Sequence, residues 1–302
     1  MGLFDNILYD SIYHSTPILL CVLGGVFAYK ANVLNIALEG FMLSAAFMVM
    51  LIAYLTGNLV LGYIAAFVSS AVLGLVFSYM GITRRGNVIV IGLAINILVP
   101  AVAGFIMQGM SMANIRLTWF NVTDIKISIP LVRDIPILGS MLSGHPLTTY
   151  ISFAGIFLMV VLMYHTKLGV YIRVTGENEK AATSLGLQVN RYRYIGVLIG
   201  AFFCTLAGTN LSLERMALFT NNMTAGRGFI AIAAIYCGRG DPLASSAYAF
   251  VFGITRALAV NMGIFVGPAA VLFDIIPYVI MTIVLTIVSL VKNRNSKIRE
   301  IR

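Results

Sequence analysis

Eight apolar runs, each approaching the ~20 residues that cross bilayer hydrocarbon, recur along this chain, and that repetition constrains its fold more than any other feature. They cover residues 16–29, 41–55, 59–80, 88–110, 148–164, 194–213, 243–260 and 268–291. Between the sixth and seventh lies a ninth stretch, 228–237, too short to span directly, which reads as a re-entrant or broken helix. With 60% hydrophobic and 10% charged residues the chain cannot cover a water-facing surface, so a soluble enzyme and a disordered chain are both excluded. The expected architecture is all-α and polytopic, about 8 (8–10) transmembrane helices in one domain over residues 1–302. Residues 1–13 contain Asp5 and Asp10 but no basic residue, unlike the n-region of a signal peptide, and read as a short surface helix.

The net charge of +9 forms no basic stripe with interleaved aromatics, so nucleic acid is not an expected partner. Its distribution orients the chain instead. Arg84 and Arg85, the 167–193 loop, the loop at Arg239 and Asp241, and the tail from Lys292 together hold 13 basic and 4 acidic residues, leaving 7 of each elsewhere. Because basic residues in short loops stay inside, these four regions and the C-terminus are expected in the cytoplasm of a cell-membrane protein, with loop 111–147 and the N-terminus outside. Small residues recur every fourth position at Gly62, Ala66, Ser70, Gly74 and Ser78, and at Gly196, Gly200, Cys204 and Gly208. Those stripes predict close internal helix packing. Cys21, Cys204 and Cys237 read as small buried side chains.

Polar groups within apolar segments must face protein or water. Asn35, Glu39, Asn96, Arg256 and Asp274 are such groups, serving either as interhelical hydrogen-bonding partners or as a substrate path. Asn35 and Glu39 stand four apart, which on a helix would place both on one face before the run opened by Gly40. A second polar patch, residues 219–228, precedes the short segment. Residues 40–47 and 228–235 agree at four of eight positions and run oppositely by the crossing count, which suggests an inverted repeat with Gly-opened half-helices at a binding site. No phosphate-binding G-x-x-x-x-G-K-[ST], zinc-binding H-E-x-x-H or G-x-S-x-G elbow occurs, and His14, His145 and His165 are scattered, so neither catalytic nor metal-ligating residues are assigned. Uphill transport would then need an ion gradient, with Glu39 and Asp274 as proton sites, or ATP hydrolysis in another subunit. Within loop 167–193, residues 176–187 predict a short amphipathic helix whose face of Ala181, Ala182 and Leu185 fits a protein groove, ended by Gly186.

Three motifs in order resemble one family. Asn35-Ile-Ala-Leu-Glu-Gly-Phe-Met-Leu43 is similar to the N-I-G-L-E-G-M-M-L signature of the permeases of bacterial ATP-binding-cassette importers of the ribose and branched-chain amino acid type, in their nucleoside and simple-sugar branch. Gly176, Glu177 and Asn178 with Ala181, Ala182, Leu185 and Gly186 resemble that family's ATPase-coupling loop. The run from Asn222 to Ala234 resembles its third signature, and Gly238-Arg-Gly-Asp-Pro242 departs at Gly240 and Asp241, where a bulkier residue and asparagine are common. The resemblance covers about residues 15–290. It implies a second permease subunit, a cytoplasmic ATP-binding subunit that carries ATP and magnesium, an extracytoplasmic substrate-binding lipoprotein, surrounding lipid, and no cofactor in this chain. Nucleosides are the implied substrate, with sugars or branched-chain amino acids as alternatives and a gradient-driven transporter or a membrane-embedded enzyme as rival classes. Asn35, Glu39, Asn96, Phe219, Asn222, Met223 and Arg227 are the expected path residues, the amides for hydrogen bonding and Phe219 for stacking.

Overall fold

In hydrocarbon each backbone N–H and C=O must find a partner inside the chain, so the apolar runs fold as helices. A computed structural model describes residues 3–128, 142–266, 275–276, 278–287 and 290. The long helices are α1 (Leu3–Lys30), α2 (Leu38–Thr56), α3 (Leu59–Ser78), α4 (Val88–Gly109), α5 (Leu147–His165), α8 (Val189–Thr209) and α10 (Pro242–Val266). Shorter helices are α6 (Lys167–Glu177), α7 (Glu179–Ser184), α9 (Arg227–Cys237) and α11 (Tyr278–Ile287). Seven described helices are long and apolar enough to cross a membrane. The eighth run lies partly outside the described residues, as do Asp274 and the tail.

Local chemistry sets the element ends. Gly57 closes α2 at φ 67°, a left-handed conformation that glycine adopts without strain, and Asn58 then caps α3 by accepting the N–H groups of Val60 and Leu61. Asn87 caps α4 in the same way. Residues Tyr79–Thr83 and Asn210–Glu214 continue α3 and α8 as single π-helical turns.

The small-residue stripes do pack inward. Ser70 donates to the Phe41 carbonyl at 3.2 Å, and a Cβ on Gly62 would stand 2.7 Å from the Val49 carbonyl oxygen, so α3 lies directly on α2. On α8, a Cβ at Gly196 would meet the Phe27 carbonyl at 3.1 Å, and Gly208 rests on Met42 and Ala45. Backbones this close gain dispersion contacts that no larger residue would permit. The Cys21 and Cys204 sulfurs lie 3.6 Å apart as free buried thiols, so two of the three cysteines meet between α1 and α8.

Two sequence expectations are corrected. Residues 3–13 are no separate surface helix but the first turns of α1, with Ser11 and Ile12 buried. Their polar groups have tertiary partners: Asn261 on α10 donates to Asp10 at 2.7 Å, and the Arg215 guanidinium sits 3.7 Å from the centre of the Tyr13 ring. The 167–193 loop is mostly helical, since α6 and α7 fill it and α8 already begins at Val189. Within loop 111–147, β1 (Ile115–Arg116) pairs antiparallel with β4 (Leu218–Phe219), and β2 (Lys126–Ile127) with β3 (His145–Pro146).

Directions follow from contact order. Tyr29 near the end of α1 meets Tyr236 near the end of α9, so those helices run together, whereas Cys21 meets Met42 and Gly25 meets Leu38, so α2 runs against α1. Therefore α2 and α9 point in opposite directions, as the paired Gly-opened segments predict.

Candidate functional site

The N-termini of α2 and α9 meet inside the bundle, and Glu39 joins them. Its Oε1 accepts the Gly226 N–H at 2.8 Å and its Oε2 the Gly228 N–H at 2.6 Å, while the side chain itself belongs to the first turn of α2. An 11-residue helix such as α9 spans only about 16 Å, so its first N–H groups fall within the hydrocarbon and need an acceptor. The carboxylate supplies one and complements the positive end of the helix dipole. Glycine is required at 228 because a Cβ there would stand 2.5 Å from the Glu39 backbone nitrogen. Gly226, at φ 75°, turns the chain into α9.

Asn96 fixes the other side of the junction. From α4 its Oδ1 accepts the Gly40 N–H at 2.8 Å and its Nδ2 donates to the Ile36 carbonyl at 2.9 Å, so one amide holds both the entry and the first turn of α2. Asn35 is not on the helix with Glu39, contrary to the four-residue spacing argument. Its Oδ1 accepts the Ala37 N–H at 3.1 Å, a local turn that competes with helix and delays the start of α2 to Leu38. The Asn35 Nδ2 is buried without a hydrogen-bond acceptor among the described residues.

The turn before α9 divides its residues. Phe219 is wholly buried, paired through β4 with Ile115 and tilted against Phe47 at 5.2 Å, so it supports the turn from behind instead of lining an opening. Asn222 is exposed and adopts φ 59°, Met223 is half-buried, and Arg227 donates through Nη1 to the Met223 and Thr224 carbonyls at 3.0 Å each. Tyr278 of α11 covers the turn, donating to the Ala225 carbonyl at 2.6 Å. The neighbouring Asn221 lines a cavity of about 390 Å³ with Met107, Gln108 and Ser111. At the opposite, basic end a second cavity of about 350 Å³ is lined by Lys30, Arg173, Glu177 and Tyr236.

A buried polar cluster escaped the sequence reading. Glu214 accepts Tyr63 at 3.2 Å through Oε1, and Thr148 and Asn210 through Oε2, while Arg215 Nε donates to Asn210 Oδ1 at 2.9 Å. It ties α3, α5 and the π turn after α8. The signal was Asn210 and Glu214, four apart at the close of an apolar run. Among the described residues no group of His, Cys, Asp and Glu could hold a metal ion.

This geometry has relatives. A family model described as the branched-chain amino acid transport system permease component matches residues 7–285. The chain belongs to that permease family. It is 31% identical over 290 residues to the guanosine ABC transporter permease protein NupQ of Bacillus subtilis, covering 93% of this chain and 89% of the relative. It is 28% identical over 295 residues to the nucleoside ABC transporter permease protein NupC of Lactococcus lactis, covering 92% and 90%. A solved structure described as a metal-chelate type ABC transporter in an inward-facing conformation aligns with TM-score 0.51 at 14% identity over 93% of this chain and 84% of the other, which shows the shared fold.

In the permease the segment expected to couple to an ATPase forms two short helices, α6 and α7, at the basic end. Asn178 ends α6 and caps α7 by accepting the Ala181 N–H at 3.0 Å, and Gly186 at φ 77° ends it as expected. Gly176 and Glu177 belong to α6, and Gly176 packs on the Lys30 carbonyl. Ala182 is wholly buried within the permease, separated from the exposed Ala181 and the 73% exposed Leu185, so the predicted three-residue face divides. An ion pair of 2.9 Å joins Glu179 to Arg193 on α8. The departures at Gly240 and Asp241 also have local reasons. Gly240 has φ 67° and abuts the Tyr29 ring, and Asp241 Oδ1 caps α10 by accepting the Ala244 N–H at 2.8 Å.

Proposed function

We propose that this chain conducts nucleosides across the cell membrane as one of two permease subunits, solute being delivered outside by a binding lipoprotein and ATP and magnesium being held by a cytoplasmic ATPase. The observation that carries this reading is 31% identity along 93% of the chain to a guanosine transporter permease. The clustering of basic residues supports a cytoplasmic position for α6 and α7, Arg239 and the C-terminal tail. Family membership favours ATP coupling over the gradient-driven alternative.

The chain itself breaks no covalent bond; its task is to open one end of a path while closing the other. An ATPase pressing on the outward face of α7, around Ala181 and Leu185, moves α8 through the Glu179–Arg193 pair. It also moves the end of α1, where Arg193 Nε donates to the Ala31 carbonyl at 3.4 Å. The segment after Ala31 leads directly into Leu38 and Glu39, so the displacement reaches the junction of the two half-helices. The exposed amide of Asn222 and the half-buried thioether of Met223 stand beside that junction and suit a neutral, hydrogen-bonding solute.

Uptake of labelled guanosine by cells expressing the complete transporter tests the reading. Excess uridine or adenosine should suppress it, and stronger suppression by ribose or leucine would overturn the nucleoside assignment.

A further inference from the structure

One helix face is left partly open by the junction and by the packing behind it, where Tyr236 meets the Tyr29 ring edge-on. On α9, Phe229 is 39% and Tyr236 is 41% exposed, seven residues apart and therefore on one side of the helix, with half-buried Ile232 between them. Tyr278, 37% exposed, stands over the turn that leads into the helix, its hydroxyl donating to the Ala225 carbonyl. The same turn carries the exposed amides of Asn221 and Asn222. The series ends in a cavity at each extremity, through Asn221 at one and Tyr236 at the other.

Exposed aromatic rings on a membrane protein ordinarily meet lipid tails. Two features of this strip oppose that. Amide groups cannot face acyl chains without losing several kcal/mol per unsatisfied donor or acceptor, and two of them are exposed on the turn that leads into α9. Tyr236 opens onto a cavity whose wall includes Lys30, Arg173 and Glu177, groups that require water.

We infer that Phe229, Tyr236 and Tyr278 form an aromatic track on which a planar, heteroaromatic base stacks as it passes between the two cavities, and that Phe229, midway along it, is a specificity-determining residue for bases over sugars. Stacking tolerates any base because each has a π face, while the flanking amides meet ring nitrogens and carbonyls. This inference rests on the nucleoside reading proposed above.

The experiment uses the full transporter, both permeases with the ATPase and the binding protein, in proteoliposomes. Wild-type protein first decides the nucleoside reading by itself: absence of ATP-driven guanosine uptake would remove that reading and this track with it. Given such uptake, Phe229→Leu should lower its maximal rate about tenfold, the change expected for one lost ring stack, with ATPase activity at rest and subunit composition unchanged. Phe229→Tyr, which keeps the ring, should restore the rate. Wild-type rates for both Phe229→Leu and Tyr236→Leu would overturn the track while leaving nucleoside transport standing. A Phe229→Cys protein with its native thiols replaced gives an independent reading: a charged, water-borne thiol reagent should label it, and guanosine should slow the labelling. A cysteine that stays unlabelled would place this face against lipid and refute the track.

Discussion

Replacing Glu39 with glutamine probes the junction without changing its shape. The carboxylate accepts two backbone N–H groups, at 2.8 and 2.6 Å, and the residue is only 7% exposed. Hydrogen bonds to a charged group contribute about 1.5–3 kcal/mol each. Glutamine keeps one acceptor oxygen but turns an NH₂ group toward the second N–H, donor against donor. One buried amide is then unsatisfied, costing about 1–3 kcal/mol, and the charge–dipole attraction at the α9 terminus, up to about 2 kcal/mol in a partly buried setting, is lost as well. The combined loss is about 2–4 kcal/mol. Thermal unfolding of the purified complex in detergent should report it as a clearly lowered midpoint, accompanied by reduced uptake. An unchanged midpoint with normal uptake would refute the capping argument. An unchanged midpoint with reduced uptake would instead make Glu39 a solute contact.

Other substitutions test the packing and the coupling segment. Gly228→Ala should destabilise the permease by several kcal/mol because its Cβ would press on the α2 backbone, whereas Gly109→Ala, with open space at that position, should leave the melting midpoint unaltered. Ala182→Arg should lower the amount of folded permease, since the site is buried in this chain, while Leu185→Arg should fold normally and lose the ATPase on purification. For Asp241, partial burial raises the carboxyl pKa, but the Ala244 and Leu243 N–H groups and the Tyr164 hydroxyl outweigh it and hold the group below its usual range. Stability from this depressed acid is present at neutral pH and lost as pH falls through the folded-state value. Asp241→Asn should therefore lower the neutral-pH midpoint and flatten its fall on acidification, measured by the same unfolding assay.

The spans were legible because a bilayer imposes length and hydropathy together, and the two Gly-opened segments because a polar patch inside an apolar run has few structural explanations. What the sequence concealed was tertiary. Asp10 interrupts hydropathy near the N-terminus, yet Asn261, more than two hundred residues away, gives it a partner and allows α1 to continue. Helical spacing suggested a shared face for Asn35 and Glu39, but the Asn35 side chain bonds its own backbone and postpones the helix. Glu39 and Arg227 stand out in the sequence as charged groups in apolar surroundings, but the backbone groups that each one bonds lie in loops or helices whose approach the sequence does not show. Phe229 and Tyr236 were invisible as a pair because an aromatic residue in an apolar segment carries no mark of what it faces.

Energy source and solute together define the central claim, and proteoliposomes containing both permeases, the ATPase and the binding protein test them in one measurement. Guanosine uptake is followed with ATP in the compartment of the ATPase and no ion gradient, then with a proton or sodium gradient and no ATP. The account predicts accumulation in the first case and none in the second. Accumulation that follows the gradient and ignores ATP would contradict it.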